Sequence, residues 1–314
     1  MEQILTIILD PILPVFVVLV LGFCLSLGKI FDTKDAASIN QFVFYLAVPS
    51  LIFGVLIKAD TSDFQWSVIA GYFASEVLIY AAGVFVARTL FGFRGPEALL
   101  LGMTACFSNH ILFVLPIAMQ LYGEQAGLPI AAIITLDAAL IFGLTVLAME
   151  FMTARESAAG FLPQTIKVMG LLAKNPMLLA IFAGMLVNIA GLPMPSGMVT
   201  FTGFAGAAAA PVALFALGIL LARSSPGEME MVAVVITILK LVAMPALFWA
   251  CLYLLDDPNL VANPWRDSVL LVAAGPCGAM PFVLAMQYGV RPGTIAKAIV
   301  YSTTLSIVTL ALIA

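Results

Sequence analysis

The sequence predicts an all-α polytopic membrane protein with ten spanning helices. Three observations carry that prediction. Of its 314 residues, 63% are hydrophobic and only 10% charged, against about 25% charge in soluble chains. The apolar residues run continuously instead of alternating, which excludes a β-barrel. The runs are near the ~20 residues that a helix needs to cross a bilayer.

The spans follow in order. The first covers Ile4 to Leu27, with Pro11 and Pro14 near its start, and Phe31 to Asn40 is a short polar connector. Gln41 to Ile57 is the second span and holds Pro49. Trp66 to Leu90 is the third, with Glu76 inside. Glu97 to Tyr122 is the fourth. Leu128 to Phe151 is the fifth, with Asp137 inside. Residues 152–174 form the most polar stretch, a connector between halves. Asn175 to Ala190 is a short sixth span, and Gly197 to Ala222, with Pro211, the seventh. Glu230 to Leu255 is the eighth and contains Lys240 and Pro245. Asp267 to Tyr288 is the ninth, interrupted by Gly275-Pro276 and Pro281, and Pro292 to Ala314 is the tenth.

Loop charge sets an orientation, because cytoplasmic loops collect Lys and Arg. With the N-terminus outside, ten of the thirteen Lys and Arg fall in inner loops, two (Lys58, Arg266) in outer ones, and Lys240 within a span. Both termini are therefore expected on the outer side of a membrane, a bacterial cytoplasmic membrane by this reading, with residues 152–174 cytoplasmic. The first residues lack a basic n-region and a small-residue cleavage site, so Met1 onward reads as mature protein. The formal charge of −4 is small, and no basic tract suggests nucleic acid. Cys24, Cys106, Cys251 and Cys277 lie in apolar segments without metal-ligand spacing, which favours packing. No cofactor or metal site is expected.

The prolines recur. Asp10-Pro11 matches Asn175-Pro176 165 residues on, and Ala47-Val48-Pro49 with Phe53 matches Ala209-Ala210-Pro211 with Phe215 162 residues on. Leu115-Pro116 followed by Gln120, Tyr122 and Gly123 matches Met280-Pro281 followed by Gln287, Tyr288 and Gly289, the prolines again 165 apart. The halves are then residues 1–151 and 175–314, each of five spans. An odd number makes the second half start from the opposite side, so the repeats are inverted. Inverted repeats with paired helix breaks are a signature of secondary transporters.

The fourth span is broken by Ser108, Asn109, His110, Pro116 and Gln120. Such polar groups in hydrocarbon need partners or a cavity, and irregular backbone is tolerated there only against protein or water. Broken spans 4 and 9 should cross near the midplane, with half-helix N-termini suited to an anion.

Three passages resemble the auxin efflux carrier family, which includes bacterial relatives of plant PIN proteins. They are Asn40 to Phe53, Ser108-Asn109 with Leu115-Pro116, and Pro281 to Ser306. The resemblance covers essentially the whole chain. It implies transport of small organic anions such as malonate, malate or auxin. It also implies a fold akin to sodium–proton antiporters and bile-acid transporters, with spans 1, 2, 6 and 7 as scaffold and 3, 4, 5, 8, 9 and 10 as a mobile core. A homodimer through the scaffold is part of the same expectation. The chain departs in having His110 where Thr is frequent and Val114 where Gly is frequent, which bears on substrate more than on fold.

Ser108, Asn109 and His110 are candidate substrate contacts, with Ser50, Phe53 and Cys277 as further lining. Asn109 has amide donors and an acceptor for a carboxylate, and it could equally cap freed backbone groups. His110, the single histidine, suits proton coupling or a neutral core role. Pro116, Gly275, Pro276 and Pro281 are the helix-break candidates. Asp137, Glu76, Lys240 and His110 are the coupling candidates. The offset of 165 places Lys240 opposite Ser75, beside Glu76, so a Glu76–Lys240 pair is geometrically conceivable, either proton-sensitive or merely structural. Protons are favoured over sodium as the coupling ion. The leading function is alternating-access transport of small organic anions. A membrane-embedded ligand sensor on the same fold is the alternative. An enzyme is disfavoured because one histidine has no nucleophile or metal constellation around it, and no nucleotide-binding loop points to primary transport.

Overall fold

The computed structural model describes residues 14, 17–59, 64–154, 170, 173–223, 230–255 and 263–313. The Pro11 repeat position and most of the predicted connector 152–174 lie outside them. Every regular element among the described residues is helical, and the one β feature is an isolated bridge. Five helices are each long and apolar enough to cross a membrane: Thr33–Leu56, Trp66–Thr89, Ile117–Met149, Ser196–Leu220 and Met231–Leu254. Val17–Leu27 and Pro176–Ile189 are shorter apolar helices.

In chain order we label Val17–Leu27 as α1, Thr33–Leu56 as α2 and Trp66–Thr89 as α3. Gly95–Cys106 is α4 and Leu115–Tyr122 is α5. α6 starts as Gly127–Leu136 and continues through a wide turn, Asp137–Phe142, into Gly143–Ala154. Pro176–Ile189 is α7, and Ser196–Ala207 with Ala209–Arg223 forms α8. Met231–Leu254 is α9. Pro264–Ala274 is α10, Met280–Gln287 is α11 and Gly293–Ile313 is α12.

Local sequence explains the ends. Asp32 caps α2 through the amides of Lys34 and Asp35, and the Asp35 side chain returns the bond. Those two amides hold the Asp32 carboxyl below its usual value of 3.8. Asn175 and Asn263 cap α7 and α10, each followed by a proline whose missing N–H costs nothing in the first turn.

Inside the spans, Pro49, Pro116 and Pro245 each stand two residues past the end of a π-helical turn: Val43–Ala47, His110–Val114 and Leu239–Ala243. A proline lacks the N–H for its own helical bond, and its ring presses on the preceding turn. A wider turn just before it relieves that conflict, so the path stays helical.

The packing is carried by small residues, as expected where lipid is as apolar as leucine. A Cβ on Gly218 of α8 would stand 2.0 Å from the Leu19 carbonyl oxygen of α1, and one on Gly22 would stand 2.2 Å from that of Phe215. A Cβ on Gly102 of α4 would meet the Tyr80 carbonyl oxygen of α3 at 2.8 Å. α2 packs on α7 and α8, whereas α3 packs on α4, α9 and α10. Outward-facing positions are apolar, Phe204 at 84% and Leu254 at 81% exposure among them. That surface fits lipid. Phe64 meets Trp66 at a tilt and Trp265 edge-on, and Arg266 lies over Trp249, so all three tryptophans gather at one end, where amphipathic rings favour a membrane interface.

Candidate functional site

The helical path is lost at two places, and they lie side by side. α4 ends at Cys106, and Phe107 is extended (φ −68°, ψ 118°). α10 ends at Ala274, and Gly275 is extended (φ −68°, ψ 161°). Ser108 and Cys277 then pair as a short antiparallel bridge. The Asn109 amide donates to the Pro276 carbonyl at 2.9 Å, and the Gly278 amide donates to the Phe107 carbonyl at 2.8 Å. Each interruption thus satisfies backbone groups that the other sets free, which is required of irregular backbone away from water.

Glycine permits the approach. A Cβ on Gly278 would sit 2.7 Å from the Ser108 carbonyl oxygen, and one on Gly275 would sit 2.4 Å from Val114 Cγ2. The Cys277 amide, turned away from the bridge, donates to Ser302 Oγ of α12 at 3.0 Å.

The last carbonyls of α10 are taken by three side chains from three other segments. Ser108 Oγ donates to Val272 at 2.7 Å, Lys240 Nζ donates to Ala273 at 2.6 Å, and Thr309 Oγ1 donates to Ala274 at 3.1 Å. Lys240 is fully buried and also reaches the Val272 carbonyl at 3.5 Å. A cation at a helix C-terminus meets the negative end of the dipole.

The acidic side of the site lies on α3 and α6. Glu76 is fully buried, in the same stripe of α3 as Tyr72, Ile79 and Gly83. Its carboxyl faces that of Asp137, and Tyr72 faces Ser108. Asp137 opens the wide turn of α6, where its Oδ2 lies 2.5 Å from His110 Nε2. Both groups are buried, at 1% and 4% exposure. The His110 ring is set edge-on against Phe107, with centroids 5.3 Å apart. Both oxygens of Glu76, both of Asp137 and Nε2 of His110 are enclosed without an aligned hydrogen bond.

The sequence candidates therefore divide. Ser108, Asn109, His110, Gly275, Pro276 and Cys277 come together at the crossing, with Glu76, Asp137 and Lys240 around it. Pro116 and Pro281 do not mark the interruptions: they occupy the first turns of α5 and α11, after the path has been lost and regained. The conceivable Glu76–Lys240 ion pair is not formed, because the ammonium is spent on helix-end carbonyls. Ser50 and Phe53 lie on α2, and no hydrogen bond links them to the crossing among the described residues; Ser50 is buried. Sequence reasoning missed Gly278, Ser302 and Thr309. The run Gly-Pro-Cys-Gly at 275–278 was the available signal for the first.

A bundle of apolar helices closed around a buried polar crossing is an integral membrane protein, and comparison with known proteins adds its class. A family model described as membrane transport protein matches residues 7–314. The chain belongs to that family, the auxin efflux carrier family. It is 27% identical to a protein of Rhizobium meliloti (strain 1021) named "Putative malonate transporter", over 95% of this chain and 92% of that one. It is 24% identical to an uncharacterized transporter of Methanothermobacter thermautotrophicus, over 96% of each chain. It is also 21% identical to auxin efflux carrier component 8 of Arabidopsis thaliana, over 96% of this chain and 95% of the relative.

Proposed function

We propose that the protein is a secondary transporter of small organic anions, dicarboxylates of the malonate kind foremost, working by alternating access. The observation that carries this reading is the crossing itself: two helix interruptions pair through Ser108 and Cys277 in the buried centre. Asn109, at 8% exposure, keeps its side-chain amide there. In this reading α4 with α5 and α10 with α11 are spans four and nine of ten, arranged as two inverted five-span repeats with both termini outside. α1, α2, α7 and α8 are the scaffold and the dimer contact, and the remaining helices form the moving core. The Asn109 amide and the first turn of the helical path that resumes at His110 hold a carboxylate of the substrate. The relative named for malonate supports the choice of substrate.

Uptake of labelled malonate into proteoliposomes tests the reading. Native protein gives saturable uptake, and Asn109→Ala loses at least about tenfold, the equivalent of ~1.4 kcal/mol of lost binding. Native-like uptake by Asn109→Ala removes the crossing as the site. No uptake of malonate or of other small carboxylates by the native protein overturns the reading.

A further inference from the structure

Besides the Tyr72 hydroxyl, five buried polar atoms at the centre of this protein lack aligned hydrogen bonds: both carboxylate oxygens of Glu76, both of Asp137, and Nε2 of His110. Buried polar groups are almost always paired, and each exception calls for an explanation. Among the described residues no set of three or more histidine, cysteine or acidic side chains has the arrangement of a metal centre. Lys240 does not neutralise them by contact, because its ammonium is bound to the carbonyls of Val272 and Ala273.

We infer that Glu76, Asp137 and His110 form a single proton-binding site, in which Glu76 carries the proton and donates it to Asp137 while His110 donates to the other oxygen of Asp137. A proton held between the two carboxyls satisfies four of the five atoms whichever carboxyl carries it, and Glu76 is assigned as the carrier because Asp137, which also accepts from His110, is the better stabilised anion. A proton on the imidazole would leave both oxygens of Glu76 unpaired and opposite a second carboxylate. Two carboxylates facing each other inside a protein do not both stay ionised. The formal charges agree: Glu76, Asp137 and Lys240 sum to −1 with His110 neutral, and one proton brings the cluster to zero. The other titratable groups facing it are Tyr72 on α3, Cys106 at the end of α4 and Cys277 of the bridge; none of these brings a second positive charge.

His110 is the residue next to Asn109, so the proton lies beside the place proposed for the anion. A bound anion favours the protonated cluster, and by linkage the proton favours the anion to the same extent. The two are carried together: the proton enters from water on one side, rests on Glu76 and is released on the other. This coupling rests on the anion-transport reading; the proton site itself does not.

Two measurements separate them. The first is an infrared pH titration of the purified protein in lipid nanodiscs. Native protein shows the carbonyl stretch of a protonated carboxyl at neutral pH. The band disappears in Glu76→Gln, and also in Asp137→Asn, where Glu76 and Lys240 already balance. It persists in the control Glu97→Gln, whose carboxylate pairs with Arg291 at the surface. A native spectrum without a band sensitive to Glu76→Gln overturns the site, whether or not transport occurs. The second is malonate accumulation in proteoliposomes with the membrane potential clamped. One proton per anion raises the accumulation ratio about tenfold per pH unit of gradient, and Glu76→Gln removes that dependence. Native transport indifferent to the gradient overturns the coupling while the anion-transport reading stands. Absence of transport of malonate and of other small carboxylates defeats that reading and leaves the infrared result to decide the proton site.

Discussion

Replacing Gly278 by alanine should open the crossing. The new Cβ would lie 2.7 Å from the Ser108 carbonyl oxygen, 2.8 Å from Phe107 Cδ1 and 3.1 Å from the Ser108 carbonyl carbon. Carbon contacts are comfortable at about 3.5–4.0 Å, so the two chains must part by roughly an ångström. The obstacle is mostly backbone and cannot rotate away. The bridge bonds, now 2.8 and 2.9 Å, then exceed the ~3.2 Å at which N–H···O bonds remain good. A buried donor left unpaired costs about 1–3 kcal/mol, and overpacking costs about 1–3 kcal/mol. The gain from a stiffer unfolded chain, about 0.4–1 kcal/mol, does not offset these. A net loss of roughly 2–5 kcal/mol lowers the melting midpoint by about 4–10 °C at ~2 °C per kcal/mol. Thermal unfolding in detergent, followed by size-exclusion monodispersity, reads this directly. Gly197→Ala is the control, because a Cβ there meets nothing within 4 Å. A Gly278→Ala protein that melts within a degree of native and transports normally would refute the claim that this approach holds the site.

Thr309→Val keeps the shape but leaves the Ala274 carbonyl without its donor, and should cost about 1 kcal/mol in stability with little change in substrate affinity. Asn188→Ala should cost about 1–3 kcal/mol, because its amide donates to the carbonyls of Leu56 and Ala59 at 2.9 and 2.8 Å at the end of α2; its midpoint should fall while KM holds. Arg223→Met should loosen α1 from α8, since the guanidinium donates to the Ser26 carbonyl at 2.8 Å and to Ser26 Oγ at 3.0 Å; limited proteolysis near residue 28 would show it. Asp32→Asn should flatten the acid limb of the stability profile: the folded carboxyl titrates below its ordinary value of 3.8, so its contribution is present above that value and is lost as the pH falls through the lower folded value.

Much of this architecture is legible in the chain because lipid imposes simple rules. Continuous apolar runs give helices, and Ser108-Asn109-His110 in such a run has to face protein. What the chain does not display is which helix each polar group meets. Glu76 and Lys240 were paired by the repeat offset, and they do stand around one site. The offset is blind to helix-end carbonyls, and these compete for the ammonium with better geometry. Asp137 and His110 are 27 residues apart, on segments joined through a reversal whose angle no local pattern fixes. The prolines misled for a related reason. A proline announces a missing donor at its own position, whereas the backbone absorbs the defect one turn earlier, in the wide turns before Pro49, Pro116 and Pro245.

The two interruptions are alike in backbone and opposite in charge. At the end of α10 the freed carbonyls face Lys240, Ser108 and Thr309, all donors. On the proposed repeat, the mate of Lys240 falls at Ser75, and beside it stands the acid Glu76. A second lysine there would place two buried cations by one crossing, while two acids would leave the α10 carbonyls without a charged donor. With one of each, a fixed cation holds the helix end, and the acid, unpaired by it, is free for the proton we propose. On that proposal two similar backbone interruptions serve an asymmetric task, and the asymmetry resides in the side chains of α3, α6 and α9, away from the glycines that shape the crossing.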